Sequence, residues 1–311
     1  MSDLTPRELV RLVLDKISEL GDKPAQEYFD VSAGTIHAWK TLKTFPSIVA
    51  AQKVWDETLA CQTPEIWGKA GNVPLTMLLP IYGDMAAMNH ITLFANYRKY
   101  GIDKINIIPR LRTLIDEARN DLAAKFLATK GEWAVFCDDD SILPTGNAAF
   151  LRKHGWNVPE RLGNRVALER LMSHPKEYRI VGALYRDRKT GVKAQCERAF
   201  RTPQDNARLL DIMAGKNTTD DGLEENGWVG TGLIRIHRSV FEEMAEAAKP
   251  GGPLEEMAPP KEHGERPMGF FGRSSRFRGE DVAMGRRAAQ IGIKSYVDCG
   301  LYVGHKGEAI Y

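Results

Sequence analysis

The sequence is short of cysteine, of long apolar runs and of net charge. Its four cysteines, Cys61, Cys137, Cys196 and Cys299, stand far apart with no C-x-x-C pair. That excludes a disulfide-stapled scaffold and fits a reducing compartment. No stretch approaches the ~18–20 apolar residues of a membrane span. The opening MSDLTPRELV carries acids and no long apolar run, so no signal peptide is expected and the expected location is the cytoplasm. Forty-three basic side chains against 41 acidic ones leave a net charge of +2. The whole chain is therefore no general polyanion binder, and any nucleic-acid contact must come from local patches.

What is present is an ordinary globular composition, 43% hydrophobic and 27% charged over 311 residues, with ample material for a core. Residues 5–20 put Leu9, Val10, Val13, Leu14, Ile17 and Leu20 on one helical face, with Thr5 as N-cap, Pro6 in the first turn and Gly21 as stop. Further helices are predicted over 24–29, after a Ser32 cap with Ile36 and Trp39 inward, and over 48–58. Residues 59–73 mix Pro, Gly and polar side chains and read as a linker. The expected division is a helical domain over 1–58, this linker, and a larger domain over 74–311.

From residue 74 the texture changes. L-T-M-L-L-P-I-Y and W-A-V-F-C read as buried strands. Helices are predicted over 85–100, 113–129, 239–248 and Glu280–Gln290, and strands over 104–108, 179–185, 232–237 and 294–298. Alternating strands and helices predict an α/β fold with a mostly parallel central sheet. Residues 249–278 are rich in Pro and Gly without clear periodicity, and read as a flexible lid or acceptor loop.

The strand W-A-V-F-C runs straight into Asp138, Asp139 and Asp140. Three adjacent carboxylates repel one another and need water or a cation. In open α/β sheets ligands bind at the carboxyl ends of strands, and hard oxygen donors there suit Mg²⁺ or Mn²⁺ bridging to phosphates. A solvated acidic turn before Pro144 fits the three letters equally well.

Over residues 73–307 the chain resembles the glycosyltransferases of the GT-A fold, a Rossmann-like architecture, and most closely the inverting family 2 with its bacterial and phage relatives. The pieces that carry the resemblance come in order: P-I-Y-G-D, R-T-L-I-D-E-A-R-N-D-L-A, W-A-V-F-C-D-D-D, I-V-G-A-L-Y-R, W-V-G-T-G-L-I-R-I-H-R-S-V-F, G-E-D-V-A-M-G-R-R-A-A-Q-I-G-I-K and V-G-H-K-G. The resemblance implies a metal-dependent transfer of a sugar from a nucleotide-diphosphate sugar, UDP-linked by expectation. Asp138 is implied at the ribose and, with Asp140 and His305, at the metal, with Asp139 less defined. Pro80, Tyr82, Asp84, Arg112, Arg119 and Asn120 are implied around the nucleotide sugar. Asp281, paired with Glu280, is implied as the general base. Trp228, Gly230, Thr231 and Gly232 are implied as the wall beside sugar and acceptor.

The acceptor is sought elsewhere. A-Q-E-Y-F-D-V-S-A-G-T-I-H-A-W-K resembles the helix-turn-helix of phage repressors and excisionase-like proteins, with Asp30 where that motif usually has Gly. Such a module reads the major groove with its later helix, here through Ala33, Gly34, His37, Lys40 and Lys43. Residues 1–56 hold seven basic and eight acidic side chains, yet 33–53 hold three Lys and no acid. Residues 266–278 add four Arg, including Arg273, Arg276 and Arg278, among three Phe and no acid, a pattern that suits phosphates and unstacked bases. Together these point to a phage-type DNA glycosyltransferase acting on a hydroxymethylpyrimidine, in a host cytoplasm. A glycan, lipid-linked or protein acceptor is the alternative, and a DNA-binding regulator that senses nucleotide sugars is a third.

Overall fold

The computed structural model describes residues 6–41, 75–81, 87–101, 104–111, 114–186, 194–216, 222–258, 267–272 and 279–305. The chain divides into two compact units, Met1–Gly71 and Asn72–Tyr311.

The first unit holds helices α1 (Pro6–Leu20), α2 (Asp22–Phe29) and α3 (Ala33–Lys40). Val13, Ile17, Ala25, Phe29, Ile36 and Trp39 are buried, and the Phe29 and Trp39 rings meet edge to face at 5.7 Å. Ser32 caps α3 by accepting the Thr35 N–H at 3.2 Å, which satisfies one orphan donor of that helix start. Asp30 sits at φ 53, ψ 51 and is the one non-glycine residue with positive φ among those described. The corner demands a left-handed residue, a conformation that glycine adopts freely and that Asp tolerates better than most other side chains. The helix expected over 48–58 and the linker over 59–73 lie outside the described residues.

The second unit runs β1 (Leu75–Ile81), α4 (Ala87–Tyr100), β2 (Ile105–Leu111), α5 (Ile115–Ala128), β3 (Trp133–Cys137), β4 (Ser141–Ile142), α6 (Ala148–Lys153), α7 (Glu160–Gly163), α8 (Ala167–Met172), β5 (Ile180–Leu184), a 3-10 turn at Glu197–Phe200, α9 (Pro203–Met213), β6 (Leu223–Asn226), β7 (Leu233–His237), α10 (Arg238–Ala247), a 3-10 turn at Glu255–Met257, α11 (Glu280–Gln290), β8 (Ser295–Tyr302) and β9 (Gly304–His305). The main sheet has the order β2-β1-β3-β7-β5-β8-β6. β1, β2, β3, β5 and β8 share one direction, while β6 and β7 run against it. The fold is thus mixed α/β with a mostly parallel sheet. β1, β3 and β5 are buried along their whole length, as continuous apolar strands covered on both faces should be.

Several bounds differ from the sequence expectation. β2 continues through Pro109 to Leu111, because it is an edge strand and a missing N–H there breaks no ladder. β6 (L-E-E-N) escaped notice because its charges mark an edge rather than a core strand. Helices α6 to α9 were also unread, although Thr202 caps α9 through the Asp205 N–H at 3.0 Å. The loop over 249–278 is no uniform lid. Leu254, Met257, Phe270 and Phe271 are buried, with Phe271 against Phe136 at 5.1 Å and Phe270 against Phe241 at 5.1 Å. Two of the three Phe read as stacking groups are therefore core plugs. Residues 259–266 and 273–278, with Arg273, Arg276 and Arg278, lie outside the described residues.

Candidate active site

The acidic turn follows directly from β3. The Asp138 N–H donates to the Gly232 carbonyl at 3.2 Å, and the Ser141 N–H closes the turn on the Asp138 carbonyl at 3.2 Å. The Ser141 hydroxyl also donates to Gly232 at 2.8 Å. The antiparallel pairing of β3 with β7 thus brings Gly232 beside the start of the acidic turn. Asp138, Asp139 and Asp140 are all partly buried. Their field is felt by Cys137, whose thiol is pushed well up by burial and then by Asp138, Asp140 and Asp139.

Arg119 joins this turn to α11. Its side chain, 1% exposed, reaches Asp138 Oδ1 at 2.5 Å and Glu280 Oε1 at 2.6 Å. Burial alone lowers the guanidinium's pKa, but the charges of Asp138 and Glu280 outweigh it and raise the value. Arg119, expected around the nucleotide sugar, has its guanidinium between these two carboxylates. Next to Glu280, Asp281 has a carboxyl pushed up to about 6, first by burial and then by the Glu280 charge. Its Oδ1 accepts the Val282 N–H at 2.7 Å.

Tyr185, just beyond β5, was quoted in the sequence motif without a role. It is 7% exposed, and its hydroxyl lies where a Cβ on residue 230 would stand, 1.9 Å away. Only glycine fits at Gly230. Burial pushes the phenol well up, and the charges of Asp281 and Asp138 add to it, so Tyr185 is a neutral group between the acidic turn and α11.

A second set of residues escaped notice on α4. Asn89, Thr92 and Asn96 are each 0% exposed. Asn89 Nδ2 donates to the carbonyls of Asp138 (3.1 Å) and Ser141 (2.6 Å). Thr92 Oγ1 accepts the Leu143 N–H at 3.1 Å. Asn96 donates to the Pro144 carbonyl at 2.9 Å and accepts the Leu168 N–H at 3.0 Å. Their spacing over i, i+3 and i+7 is the available signal, a polar stripe along an inward helix face.

The remaining assignments divide. β4 pairs with β9 so that His305 stands opposite Ser141, one residue from Asp140; the His305 side chain is outside the described set. Among the described residues no three His, Cys, Asp and Glu side chains converge as a metal cage. Trp228 is 7% exposed, packs against Gly285 on α11, and meets the Phe200 ring at 5.5 Å. Glu197 ties this corner together by accepting from Gly227 N–H and Arg286. Asn120 Oδ1 accepts the Phe271 N–H at 2.8 Å. Pro80 lies within β1 opposite Arg110 of β2. Tyr82, Asp84 and Arg112 lie outside the described residues. On α3, His37 and Lys40 are exposed, but the Lys40 ammonium sits on Asp22 at 2.9 Å; Lys43 lies outside.

No family model matches the chain, and no curated protein matches it. Among solved structures, the crystal structure of A197 from STIV is similar over 75% of this chain and 85% of its own, at 15% identity and a TM-score of 0.40. A crystal structure of a glycosyltransferase involved in the glycosylation of the major capsid of PBCV-1 is similar over 58% of this chain and 69% of its own, at 11% identity and a TM-score of 0.27. Among the described residues, no helix is long and apolar enough to cross a membrane.

Proposed function

We propose that the second unit transfers a sugar from a nucleoside-diphosphate sugar, UDP-linked by expectation, to an acceptor hydroxyl. The observation that carries this reading is the Arg119 bridge, which ties a strand-end acidic turn to a helix start bearing a carboxylate of raised pKa. A donor end and a base end thereby share one site.

The donor chemistry at the acidic turn suits a divalent cation. Asp140 offers hard oxygen donors, and the backbone pairing of Ser141 with His305 brings an imidazole-bearing position beside it. Asp138 Oδ1 receives Arg119, and in this reading Asp140 and His305, with the second oxygen of Asp138, would hold the metal. When bound, Mn²⁺ or Mg²⁺ offsets the charge that develops on the departing diphosphate. Asp281 takes the acceptor's hydroxyl proton while that oxygen forms the new bond to the anomeric carbon. The bond from that carbon to the diphosphate breaks, and its electron pair leaves with the phosphate oxygen. A base with a pKa near 6 is ionised at neutral pH and still accepts a proton, the balance that general-base catalysis favours. Arg119 bridges Asp138 and Glu280, and the neutral Tyr185 hydroxyl packs beneath the Gly230 turn.

The acceptor in this reading is a hydroxymethylated pyrimidine in DNA, presented with the help of the first unit, whose α3 exposes Ala33, Gly34, His37 and Lys40. The test is a panel of nucleoside-diphosphate sugars with Mn²⁺, followed by release of nucleoside diphosphate and by the mass of modified duplex and of glycan acceptors. Sugar transfer to hydroxymethylated DNA is expected. No release with any donor sinks the transferase reading, and transfer to glycan alone sinks the DNA acceptor.

A further inference from the structure

We propose that Asn89 is the positioning residue of the donor site: its buried amide locks the Asp138–Ser141 turn in the one backbone arrangement that sets Asp140 beside residue 305. The proposal rests on the transferase reading above and adds to it the residue that sets cation and diphosphate affinity.

A tight turn carrying three carboxylates has two problems. The charges drive the turn open, and the backbone groups of a segment that leaves the sheet lose their ladder partners. Arg119 offsets part of the first at Asp138; further cationic side chains would occupy the oxygens that a metal needs. Asn89 solves the second with an uncharged group. One amide nitrogen bonds the carbonyls at both ends of the turn, Asp138 and Ser141, and so fixes their separation while leaving the carboxylate charge untouched. Ser141 is the residue whose strand partner is His305. The amide therefore pins the same backbone that brings the two expected metal donors together.

Asn89 also carries a cost that stability alone does not explain. Its Oδ1 is buried and finds no donor among the described residues, and an unmatched buried acceptor is destabilising. Thr92 and Asn96, on the same helix face, bond Leu143, Pro144 and Leu168, beyond the turn. They serve as internal controls: same helix, same burial, no bond to the carboxylate turn.

The experiment compares Asn89→Leu, which removes the donor at similar volume, with Thr92→Val in the full chain. Free Mn²⁺ is titrated with protein and read by its electron paramagnetic resonance signal, and amide hydrogen exchange is followed through 138–144. For Asn89→Leu, the Mn²⁺ dissociation constant is expected to rise about tenfold or more, the range for lost outer partners of metal ligands. Exchange should quicken at Ser141 and stay slow in β3. In turnover, KM for the donor should rise by a similar factor with kcat at saturation nearly unchanged. Thr92→Val should lower the melting temperature and leave Mn²⁺ affinity as it was. Should Asn89→Leu fold poorly, Asn89→Ser, which keeps one donor, should show the same changes at smaller size. Unchanged exchange at Ser141, or equal loss of Mn²⁺ affinity in Thr92→Val, overturns the proposal. A wild-type protein that binds no Mn²⁺ overturns the metal assignment instead, and the exchange comparison still decides the role of Asn89.

Discussion

The two ends of the site are held by opposite kinds of force. The backbone of the acidic turn after β3 is anchored by neutral groups, the Asn89 amide of α4 and the Gly232 carbonyl of the β7 entry, and charge reaches it at Asp138 through Arg119. The start of α11 is set by charge: Arg119 on Glu280, and Glu280 beside Asp281. The difference follows from what each end does. A turn that must attract a cation keeps its charge if neutral groups hold it. A base needs its proton affinity adjusted, and only neighbouring charge and burial adjust it.

The sharpest way to break the comparison is Asp281→Asn. It should lower kcat by about 10²–10⁴-fold with donor KM little changed. Because burial raises the Asp281 pKa, its ionised form costs stability as pH rises through about 6. The variant should therefore unfold at the same or higher denaturant than wild type at pH 7. A parallel loss of fold and activity would assign Asp281 to structure.

Arg119→Leu comes next, because Arg119 is the one side chain both ends share. Removing a buried cation takes its charge away from Asp138 and Glu280, an expected loss of about 3–5 kcal/mol in urea unfolding. A loss below about 1 kcal/mol, the worth of an exposed pair, would remove the bridge as the organising contact.

Glu280→Gln sharpens the charge-held end. It takes a negative neighbour from Asp281, so the Asp281 pKa falls and the acid limb of kcat/KM moves to lower pH. The same substitution should leave Mn²⁺ affinity unaltered, since the turn does not depend on that charge. An unmoved limb would mean that another group sets it. The smallest effect is expected at Arg286→Gln, which breaks a pair with Glu197 at a half-exposed position; about 0–1 kcal/mol of stability is expected, measured by thermal unfolding.

How much of this was legible depended on whether a residue's partner was a pattern or a place. W-A-V-F-C into three Asp could be read as a strand end because burial and charge change within one step. Glu280–Gln290 was read with both bounds because Gly279 and the acidic first turn mark a helix start. The Ser32 cap and the inward Ile36 and Trp39 were legible for the same local reason. Asn89, Thr92 and Asn96 were not, because their partners are backbone groups more than 45 residues away and polar letters on a helix look like its wet face. The carboxylate partners of Arg119 were not legible either, because composition cannot tell which anion a buried guanidinium meets. Phe270 and Phe271 were placed with the arginines around them, whereas their contacts lie in the core.

Pro109 has a consequence for handling the protein. It lies in β2, which among the described strands forms one rim of the main sheet, and β6 with Glu224 and Glu225 forms the other. A docking strand would meet a missing donor at the first rim and, at the second, carboxylates paired with Arg208 and Lys294. Both margins discourage rim-to-rim growth into fibres, so the titrations above should tolerate high protein concentration.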